Sequence, residues 1–369
     1  MNICVLMKYW PNFGGVETVI RSLLNEFANR GHNTFIVYFT DTESDCIMQK
    51  IKICKLPNKN DVEYLHDFLL KQNINILINN WDDIFYFSKQ ASKGSSVKLV
   101  HCLHWAFYNS QSPKNIIKKK IYRVFPVLYG RLNKQKHIYK QNKIYDQVEA
   151  YILLSESYVE QYKRLVPNKN LEHLFAIPNP LPYTTIKPVD IGKKEKKILF
   201  VGRIEEWQKR ISMIIECWKN ICNKYPDWAL IIVGDGPDMQ RTKKLAENLP
   251  RIQFEGFREP REYYEKSSIF LMTSSVEGLP MTILECSQFA CVPVVMNSFL
   301  SVRDIVIDNE TGFIVPNDNL KVFAEKVCSL MDNQELREKM GKNGIEFVKR
   351  FSTEKIVDKW EKLFEELFK

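Results

Sequence analysis

The fold of this chain is decided by one stretch, Ile269-Phe270-Leu271-Met272-Thr273-Ser274-Ser275-Val276-Glu277-Gly278-Leu279-Pro280-Met281-Thr282-Ile283-Leu284-Glu285. It begins with a short apolar run typical of a buried strand, and a Gly-x-Pro turn then leads into a helical pattern. Proline suits the first turn of a helix, because the N–H that it lacks would be unpaired there. Backbone N–H groups from about Leu279 to Thr282 are therefore expected to point out of the helix N-terminus and to favour an anion.

Two carboxylates flank this turn. Glu277 lies in the loop, and Glu285 is expected more than two turns into the helix. One carboxylate can then reach hydroxyls beside the anion and the other can reach hydroxyls on its far side, an order that fits a sugar, phosphates and a ribose. Two solvated glutamates on an ordinary helix have the same spacing, so the spacing alone leaves both interpretations open.

The stretch resembles the Glu-x7-Glu signature of the family 4 retaining glycosyltransferases, which have the GT-B fold. The resemblance implies that Glu277 contacts the transferred sugar and that Glu285 binds the ribose of a nucleotide diphosphate sugar. The family commonly has alanine and glycine where this chain has Cys286 and Ala290. Both residues are small, so we expect close helix packing and activity to be kept. The resemblance also places four residues beside the donor: Gly278, Leu279, Pro280 and Met281.

A basic loop follows the strand-like run Ile198–Val201. Gly202 permits a tight turn there, and the spacing of Arg203 and Lys209 resembles the Gly-Arg…Lys element of the same family. The resemblance implies that these two cations stabilise the charge that develops on a departing diphosphate, a task for which other enzymes use a metal. Arg210 lies close, but nothing in the family pattern selects it. A solvated basic turn is the alternative.

Two further loops of the second half carry weaker signals. Gly234-Asp235-Gly236-Pro237 is a glycine-rich turn that lets backbone approach a ligand, and it is also a common β–α turn. Glu255-Gly256-Phe257-Arg258 resembles the segment that borders the nucleobase in the family. Phe257 and Arg258 would then frame a base, with a core phenylalanine as an equally good interpretation.

The first half contributes a glycine loop and a histidine. The loop Phe13-Gly14-Gly15-Val16-Glu17 resembles the family's Gly-Gly-x-Glu loop, which implies that the backbone at Gly15 approaches the diphosphate. His104 follows the strand-like run Lys98–Cys102, and the resemblance implies that it reaches the donor sugar, whereas His101 should be packed within the strand. The aromatic residues of this segment would form a stacking wall for an acceptor: Trp105, Phe107 and Tyr108.

Composition limits the class of protein. A chain of 369 residues can form two domains, and its 45% hydrophobic content is that of a globular protein. No apolar run approaches the roughly 18 residues of a membrane span, and the run Ile3–Met7 is too short for a signal peptide, so we expect a cytoplasmic chain. The nine cysteines include no Cys-x-x-Cys pair and are interpreted as reduced. Asp82-Asp83 is interpreted as a helix N-terminus, and neither a metal nor a cofactor is expected.

The net charge of +9 is concentrated in one window. Between Lys114 and Lys143 there are ten lysines and arginines and no acidic residue, so the rest of the chain is close to neutral. Isoleucine, valine and tyrosine alternate with these charges, a pattern that favours an anionic membrane surface. A solvated helical insertion is the alternative, and nucleic acid is not favoured because no binding motif accompanies the charge.

Strand-like and helical segments alternate in both halves, which predicts an α/β protein of the GT-B class with two Rossmann-like, doubly wound domains facing a central cleft. The proline-rich segment 177–182 is expected to link them. We expect an N-terminal acceptor domain at 1–185 with a basic helical insertion at 112–143, and a nucleotide-sugar domain at 186–350. The amphipathic tail 351–369 is expected to cross back to the first domain.

The predicted activity is transfer of a hexose or N-acetylhexosamine, with retention, from a nucleotide diphosphate sugar to a glycan or lipid-linked acceptor in surface polysaccharide synthesis. UDP is favoured over GDP by resemblance, and the protein is expected at the inner face of the cytoplasmic membrane. A GT-B-fold nucleotide-sugar epimerase is one alternative, although we find no convincing set of extra acid and base groups for it. A non-catalytic, membrane-associated GT-B partner protein is the other.

Overall fold

The computed structural model describes residues 1–11, 14–41, 50–58, 61–107, 126–183 and 189–369, with the backbone alone for 126–130. Internal contacts divide the described chain into two compact units. The first unit comprises Met1–Pro180 together with Thr353–Lys369, and the second comprises Leu181–Ser352. Phe13, Tyr108 and positions 112–125 of the basic window lie outside the described residues.

The first unit contains a parallel sheet of seven strands in its described part. Its order is β3-β2-β1-β4-β5-β6-β7, so the chain reverses its direction of travel across the sheet between β1 and β4. The central strands are buried on both faces, as a parallel sheet covered by helices requires. The strands are β1 (Asn2–Trp10), β2 (Asn33–Asp41), β3 (Ile51–Lys55), β4 (Ile76–Asn79), β5 (Lys98–Leu103), β6 (Ala150–Leu153) and β7 (Leu174–Ala176).

Helices of the first unit are numbered along the whole chain: α1 (Gly15–Asn29), α2 (Val62–Lys71), α3 (Phe85–Ser92), α4 (Pro126–Tyr145), α5 (Glu156–Leu165) and α14 (Thr353–Leu367). The last of these packs against the first, with the rings of Phe27 and Phe364 5.5 Å apart. At the end of α1, Arg30 donates hydrogen bonds of 2.7 Å to both Asp358 and Glu361. The C-terminal helix is therefore part of the first unit's core and surface.

The second unit contains a parallel sheet of six strands in order β10-β9-β8-β11-β12-β13. Its strands are β8 (Glu195–Val201), β9 (Ala229–Val233), β10 (Ile252–Gly256), β11 (Ser267–Met272), β12 (Val292–Asn297) and β13 (Phe313–Pro316). Its helices are α6 (Glu206–Lys209), α7 (Ile211–Ile221), α8 (Met239–Ala246), α9 (Arg261–Lys266), α10 (Met281–Gln288), α11 (Val302–Ile305), α12 (Leu320–Asp332) and α13 (Gln334–Val348). The chain reverses its direction across this sheet between β8 and β11.

The predicted alternation of strands and helices is confirmed, and the differences lie in short or broken elements. Three edge strands were not predicted, because they are short and, in Ile51–Lys55, mostly exposed. The helix expected at about Arg210–Lys224 is present as α7, and a left-handed residue at Arg210 separates it from the short α6, which was not predicted. The helix expected from Asp82 begins instead at Phe85. Glu285 is the fifth residue of α10, so it lies just over one turn into that helix, not two.

Candidate functional site

Three predicted site residues of the second unit lie in the two connections that follow β8 and β11, where its sheet reverses. Arg203 and the last residue of α6, Lys209, belong to the connection after β8, and Glu277 lies in the loop after β11. These two strands are neighbours in the sheet, and their order changes direction between them. In doubly wound sheets ligands bind beyond the carboxyl ends of the strands at such a switch point. The topology therefore brings together the ammonium of Lys209 and the carboxylate of Glu277, which are 68 residues apart.

Lys209 and Glu277 form an ion pair, with Lys209 Nζ 2.6 Å from Glu277 Oε1. Only 13% of the lysine side chain and 9% of the glutamate side chain are exposed. Gln208 Nε2 donates to the carbonyl of Val276 at 3.4 Å and lies 3.5 Å from the second carboxylate oxygen of Glu277. Removing either partner of such a pair leaves a buried charge, so each holds the other in place.

Arg203 differs from Lys209 in its exposure. Its side chain is 67% exposed, and its Nε lies 3.6 Å from the carboxylate of Glu205. An exposed pair at that distance contributes little to stability, because water screens it. Most of the Arg203 side chain therefore faces solvent, where it can meet an anion.

Glycines pack the neighbouring strand-end loops against one another. A Cβ added at Gly234 would lie 1.9 Å from the carbonyl oxygen of Gly202, and one at Gly236 would lie 2.3 Å from that of Ile204. Backbone hydrogen bonds of 3.0 Å from Gly202 to Val233 and of 2.7 Å from Gly234 to Gly256 continue this contact. The glycines of the Gly234–Pro237 turn thus serve close packing of backbone on backbone beside Arg203.

The helix after Glu277 begins as the sequence predicts. Pro280 is the N-cap of α10 and Met281 is its first residue, and no side chain in the described part of the chain caps this end. Gly278 and Leu279 are buried, and Ser301 Oγ donates a 2.6 Å hydrogen bond to the Gly278 carbonyl, which fixes the turn. The positive end of the helix dipole therefore follows Glu277 closely in sequence and favours an anion.

Glu285 lies half-buried on α10 and is held by a tyrosine. The hydroxyl of Tyr264 donates a 2.7 Å hydrogen bond to Glu285 Oε2. Burial raises the pKa of Glu285, the hydrogen bond from Tyr264 opposes that rise, the negative charge of Glu259 adds to it, and the net result is a pKa of about 7. Tyr264 in turn accepts a hydrogen bond of 2.6 Å from Lys194 at its carbonyl. Neither residue was predicted, because only the folded packing brings Tyr264 to Glu285 and Lys194 to Tyr264.

The segment predicted to border a base presents its aromatic ring to solvent. Phe257 is 71% exposed and Arg258 is also exposed, so Phe257 is not a core phenylalanine. A large exposed ring beside a guanidinium is typical of a stacking surface. Glu259 follows in the same loop and accepts a 2.7 Å hydrogen bond from the hydroxyl of Tyr183.

In the first unit, the glycine loop precedes α1, which begins at Gly15. None of the described residues lies within 4 Å of a Cβ added at Gly15, whereas one added at Gly14 would lie 2.2 Å from Glu17 Oε2. Glu17 is 7% exposed, and burial raises the pKa of its carboxyl. A side chain at Gly14 would therefore have to displace the end of the Glu17 side chain, whereas the described residues leave open space beside Gly15.

His104 follows β5 directly and is half-buried. Its Nε2 donates a 2.9 Å hydrogen bond to Asn80 Oδ1, which fixes the ring. Burial, together with the nearby His101, lowers the pKa of His104 to about 4. His104 is therefore neutral at neutral pH and can bind through hydrogen bonds without a charge.

His101 is fully buried within β5, as predicted, and belongs to a polar network that the sequence did not reveal. Its Nε2 donates to Asp82 at 3.2 Å, and its Nδ1 lies 2.8 Å from Asn79 Nδ2. Asp82 also accepts from Lys140 and Gln141, each at 2.8 Å, and the hydrogen bonds and charges of His101 and Lys140 hold its pKa well below the usual range. The interpretation of Asp82 as a helix N-terminal residue is wrong, since it anchors α4 to the ends of two strands.

The aromatic wall proposed beside His104 is only partly supported. Phe107 is fully buried and stacks on Tyr162, with ring centroids 4.2 Å apart, so it belongs to the core. Trp105 is 43% exposed and remains a candidate for stacking on a ligand.

No helix in the described part of the chain is both long enough and apolar enough to span a bilayer.

Comparison with solved structures defines the class of protein. A TarM variant from S. aureus, solved in complex with Fondaparinux, alpha-GlcNAc-glycerol and UDP, aligns over 99% of this chain and 100% of its own with a TM-score of 0.76. The identity is 15%, so the likeness concerns the fold. The two doubly wound units are thus those of the GT-B glycosyltransferase fold.

Sequence comparison then gives the family. Residues 184–367 match the family model described as glycosyl transferases group 1, and the chain belongs to this family. An uncharacterized glycosyltransferase of Haemophilus influenzae is 27% identical over 94% of this chain and 95% of its own length. The GalNAc-alpha-(1->4)-GalNAc-alpha-(1->3)-diNAcBac-PP-undecaprenol alpha-1,4-N-acetyl-D-galactosaminyltransferase of Campylobacter jejuni is 22% identical over 96% of both chains. The predicted family is confirmed, and the protein is a glycosyltransferase.

Proposed function

We propose that this glycosyltransferase transfers a hexose or N-acetylhexosamine from a UDP-linked sugar to a glycan or lipid-linked acceptor, with retention and without a metal. The observation that carries the proposal is the 2.6 Å pair of Lys209 and Glu277 at the switch point of the second unit, with the exposed Arg203 on the same loop as the lysine. A side chain suited to binding phosphate, Lys209, and one suited to binding sugar hydroxyls, Glu277, are thereby adjacent.

The pair supports the proposal electrostatically. A mostly buried ammonium is costly unless a negative charge compensates it, and Glu277 provides that charge. A diphosphate arriving beside Lys209 would supply a second negative charge, which frees the carboxylate of Glu277 to accept hydrogen bonds from sugar hydroxyls. Lys209, Arg203 and the N-terminus of α10 would then stabilise the charge that develops as the sugar–phosphate bond breaks.

Glu285 and Phe257 are proposed to hold the nucleoside. A carboxylate with a raised pKa, already oriented by Tyr264, can accept hydrogen bonds from the two ribose hydroxyls. Phe257 offers an exposed ring on which a base can stack. The choice of UDP over GDP rests on the UDP found with the TarM variant, which shares the fold at 15% identity.

Retention would follow if the acceptor attacks the face from which the diphosphate departs. The leaving oxygen of the diphosphate would then receive the acceptor's proton, so that the reaction needs no protein base. For His104 we propose a hydrogen bond to the transferred sugar from its neutral ring, and for Gly15 an approach of backbone to the diphosphate.

A membrane-bound acceptor is supported by the exposed side of α4. Leu132 and Tyr139 are 58% and 60% exposed, and Lys136 and Lys143 are exposed on the same helix. The ammonium of Lys143 lies 4.7 Å from the centroid of the Tyr139 ring. Exposed apolar groups among cations suit the headgroup region of an anionic bilayer, so we propose peripheral binding at the inner face of the cytoplasmic membrane. The Campylobacter jejuni relative, named for a PP-undecaprenol-linked saccharide, agrees with such an acceptor.

Calorimetric titration of UDP and GDP into the wild type and Arg203→Ala, in buffer with EDTA, tests the donor site. The expected result is UDP binding that the substitution weakens about tenfold or more, because a charge-assisted hydrogen bond contributes about 1.5–3 kcal/mol. Binding of neither nucleotide by the wild type would contradict the proposed donor. Binding that appears only with added Mg²⁺ would contradict metal independence.

A further inference from the structure

Arg210 occupies a backbone conformation that an arginine rarely adopts. Its φ of +48° and ψ of +46° lie in the left-handed region, where glycine is favoured. It is at once the C-cap of α6 and the N-cap of α7, so this single residue redirects the chain between two helices. A side chain kept at such a position needs compensating contacts.

The guanidinium of Arg210 supplies those contacts by joining three strand-end loops. It donates to the carbonyls of Thr273 and Ser274, the latter at 3.2 Å, in the loop after β11. It also donates to the side chains of Asn317, at 2.8 Å, and Asp318, in the turn after β13. Only 16% of the arginine side chain is exposed, and burial lowers the pKa of its guanidinium while Asp318 opposes that effect.

The loop after β11 also donates hydrogen bonds to the backbone beside Arg210. Thr273 Oγ1 donates to the carbonyls of Lys209 and Arg210 at 2.9 and 3.0 Å. Ser275 donates from its backbone N–H to the Gln208 carbonyl at 2.7 Å. Residues 208–210 and 273–275 are thus joined by hydrogen bonds in both directions, just before Glu277.

We propose that Arg210 is a positioning residue of the donor site, which holds the loop of Lys209 against the loop of Glu277 through the carbonyls of Thr273 and Ser274. The inference rests on the proposed function, in which Lys209 and Glu277 contact the donor. Hydrogen bonds to the two carbonyls fix the path of the loop. A guanidinium can make them together because it holds several N–H groups in one plane, which a lysine ammonium does not. Asp318 is 68% exposed, so its ion pair with Arg210 is a minor part of the arrangement.

The test uses Arg210→Gly and Arg210→Ala in the full chain. Both remove the guanidinium, but glycine adopts the left-handed conformation freely and alanine does not, so Arg210→Gly should melt at the higher temperature. Arg241→Ala is the matched control, because Arg241 is an exposed arginine of the same unit. Two quantities are measured besides the melting temperature: amide hydrogen exchange of peptides covering 203–210 and 273–280, and the calorimetric Kd for UDP.

A positioning role predicts faster exchange in both peptides and at least a tenfold weaker UDP affinity in both Arg210 variants, with neither change in Arg241→Ala. If Arg210 only stabilised the fold, UDP affinity would follow the melting temperature, and Arg210→Gly would bind UDP better than Arg210→Ala. Exchange that is unchanged in Arg210→Gly, or UDP affinity within threefold of the wild type, would overturn the proposal. If the wild type binds no UDP, the proposed donor fails and the exchange data alone decide whether Arg210 clamps the loops.

Discussion

The hydroxyl of Tyr264 lies 2.7 Å from Glu285 Oε2 and donates to it, while Glu259 places a second negative charge near the same carboxyl. The tyrosine favours the charged form of Glu285, and burial together with Glu259 favours the neutral form. The balance leaves the pKa of Glu285 at about 7, far above its ordinary value of 4.5. The protonation state of this carboxyl therefore changes near neutral pH.

This raised pKa predicts a pH-dependent loss of stability. Glutamate in the unfolded chain loses its proton near pH 4.5, whereas Glu285 in the folded chain keeps it to about pH 7. The stability that the proton provides is complete below pH 4.5 and declines as the pH rises to about 7. The free energy of unfolding of Glu285→Gln, measured relative to that of the wild type, should therefore be about 1 to 3 kcal/mol higher at pH 8 than at pH 5.

Urea unfolding of both proteins at pH 5 and pH 8, followed by tryptophan fluorescence, measures this gain. Glu285→Gln with Tyr264→Phe serves as the comparison, since neither carboxylate nor phenol then remains. If the free energies of unfolding of the wild type and Glu285→Gln differ by the same amount at both pH values, Glu285 has an ordinary pKa.

The buried pair of Lys209 and Glu277 predicts strong coupling between the two side chains. Glu277→Gln or Lys209→Met alone should lower the free energy of unfolding by about 3 kcal/mol, because each leaves a largely buried charge without its counter-ion. The double variant should cost clearly less than the sum of the two single ones. Denaturant unfolding of the four proteins gives the coupling energy, and additive effects would mean that water separates the pair in solution.

In contrast to the Lys209–Glu277 pair, Arg203 should contribute to UDP affinity and hardly at all to stability. Its side chain is 67% exposed, so Arg203→Ala should change the free energy of unfolding by less than about 0.5 kcal/mol. Its effect on UDP affinity should be large and should shrink as salt rises, because an exposed charge is screened. Titrations at low and high NaCl measure this, and an affinity loss independent of salt would indicate that Arg203 acts through the loop's shape.

Close packing of α13 on the end of α10 predicts a steric effect at one glycine. A Cβ added at Gly341 would lie 2.9 Å from the Cβ of Ala290, whose φ is +58°. Gly341→Ala should therefore destabilise the protein by about 1 to 3 kcal/mol. The cost should be smaller in an Ala290→Gly background, which removes the opposing Cβ.

Gly344 provides the control for this packing. It lies on the same helix, but a Cβ there would be 3.7 Å from its nearest neighbour, in ordinary contact. Gly344→Ala should be neutral or stabilising, because alanine favours a helix more than glycine does. Thermal unfolding of Gly341→Ala, Ala290→Gly, their double variant and Gly344→Ala measures these effects. Equal changes in stability for Gly341→Ala and Gly344→Ala would show that helix propensity, and not the contact with Ala290, governs stability at Gly341.

Site residues in the connections that follow strands could be predicted from the sequence, whereas the residues that hold those site residues in place could not. Lys209 and Glu277 follow recognisable apolar runs, and parallel strands bring such positions to one edge. Arg210 gave no signal, because its role depends on a left-handed backbone and on carbonyls more than 60 residues away. Tyr264 likewise meets Glu285 only through the packing of α9 on the sheet.

The network around Asp82 shows the same limit. Asn79 ends β4 and pairs with His101 within the adjacent strand β5, and that pairing was within reach of the sequence. The contribution of Lys140 and Gln141 was not, because they belong to a long helix with no apolar periodicity that would fix which side faces the sheet. Local pattern thus determines the strand ends, and tertiary contacts determine their partners.

The packing of α14 on α1 has a consequence for synthesis on the ribosome. The second unit is one continuous segment, Leu181–Ser352, and its chain is complete once that segment has emerged. The first unit is not complete at that point, since the ring of Phe27 packs against Phe364 near the end of the chain. The first unit can therefore gain the packing of α14 on α1 only after the whole of the second unit has been synthesised.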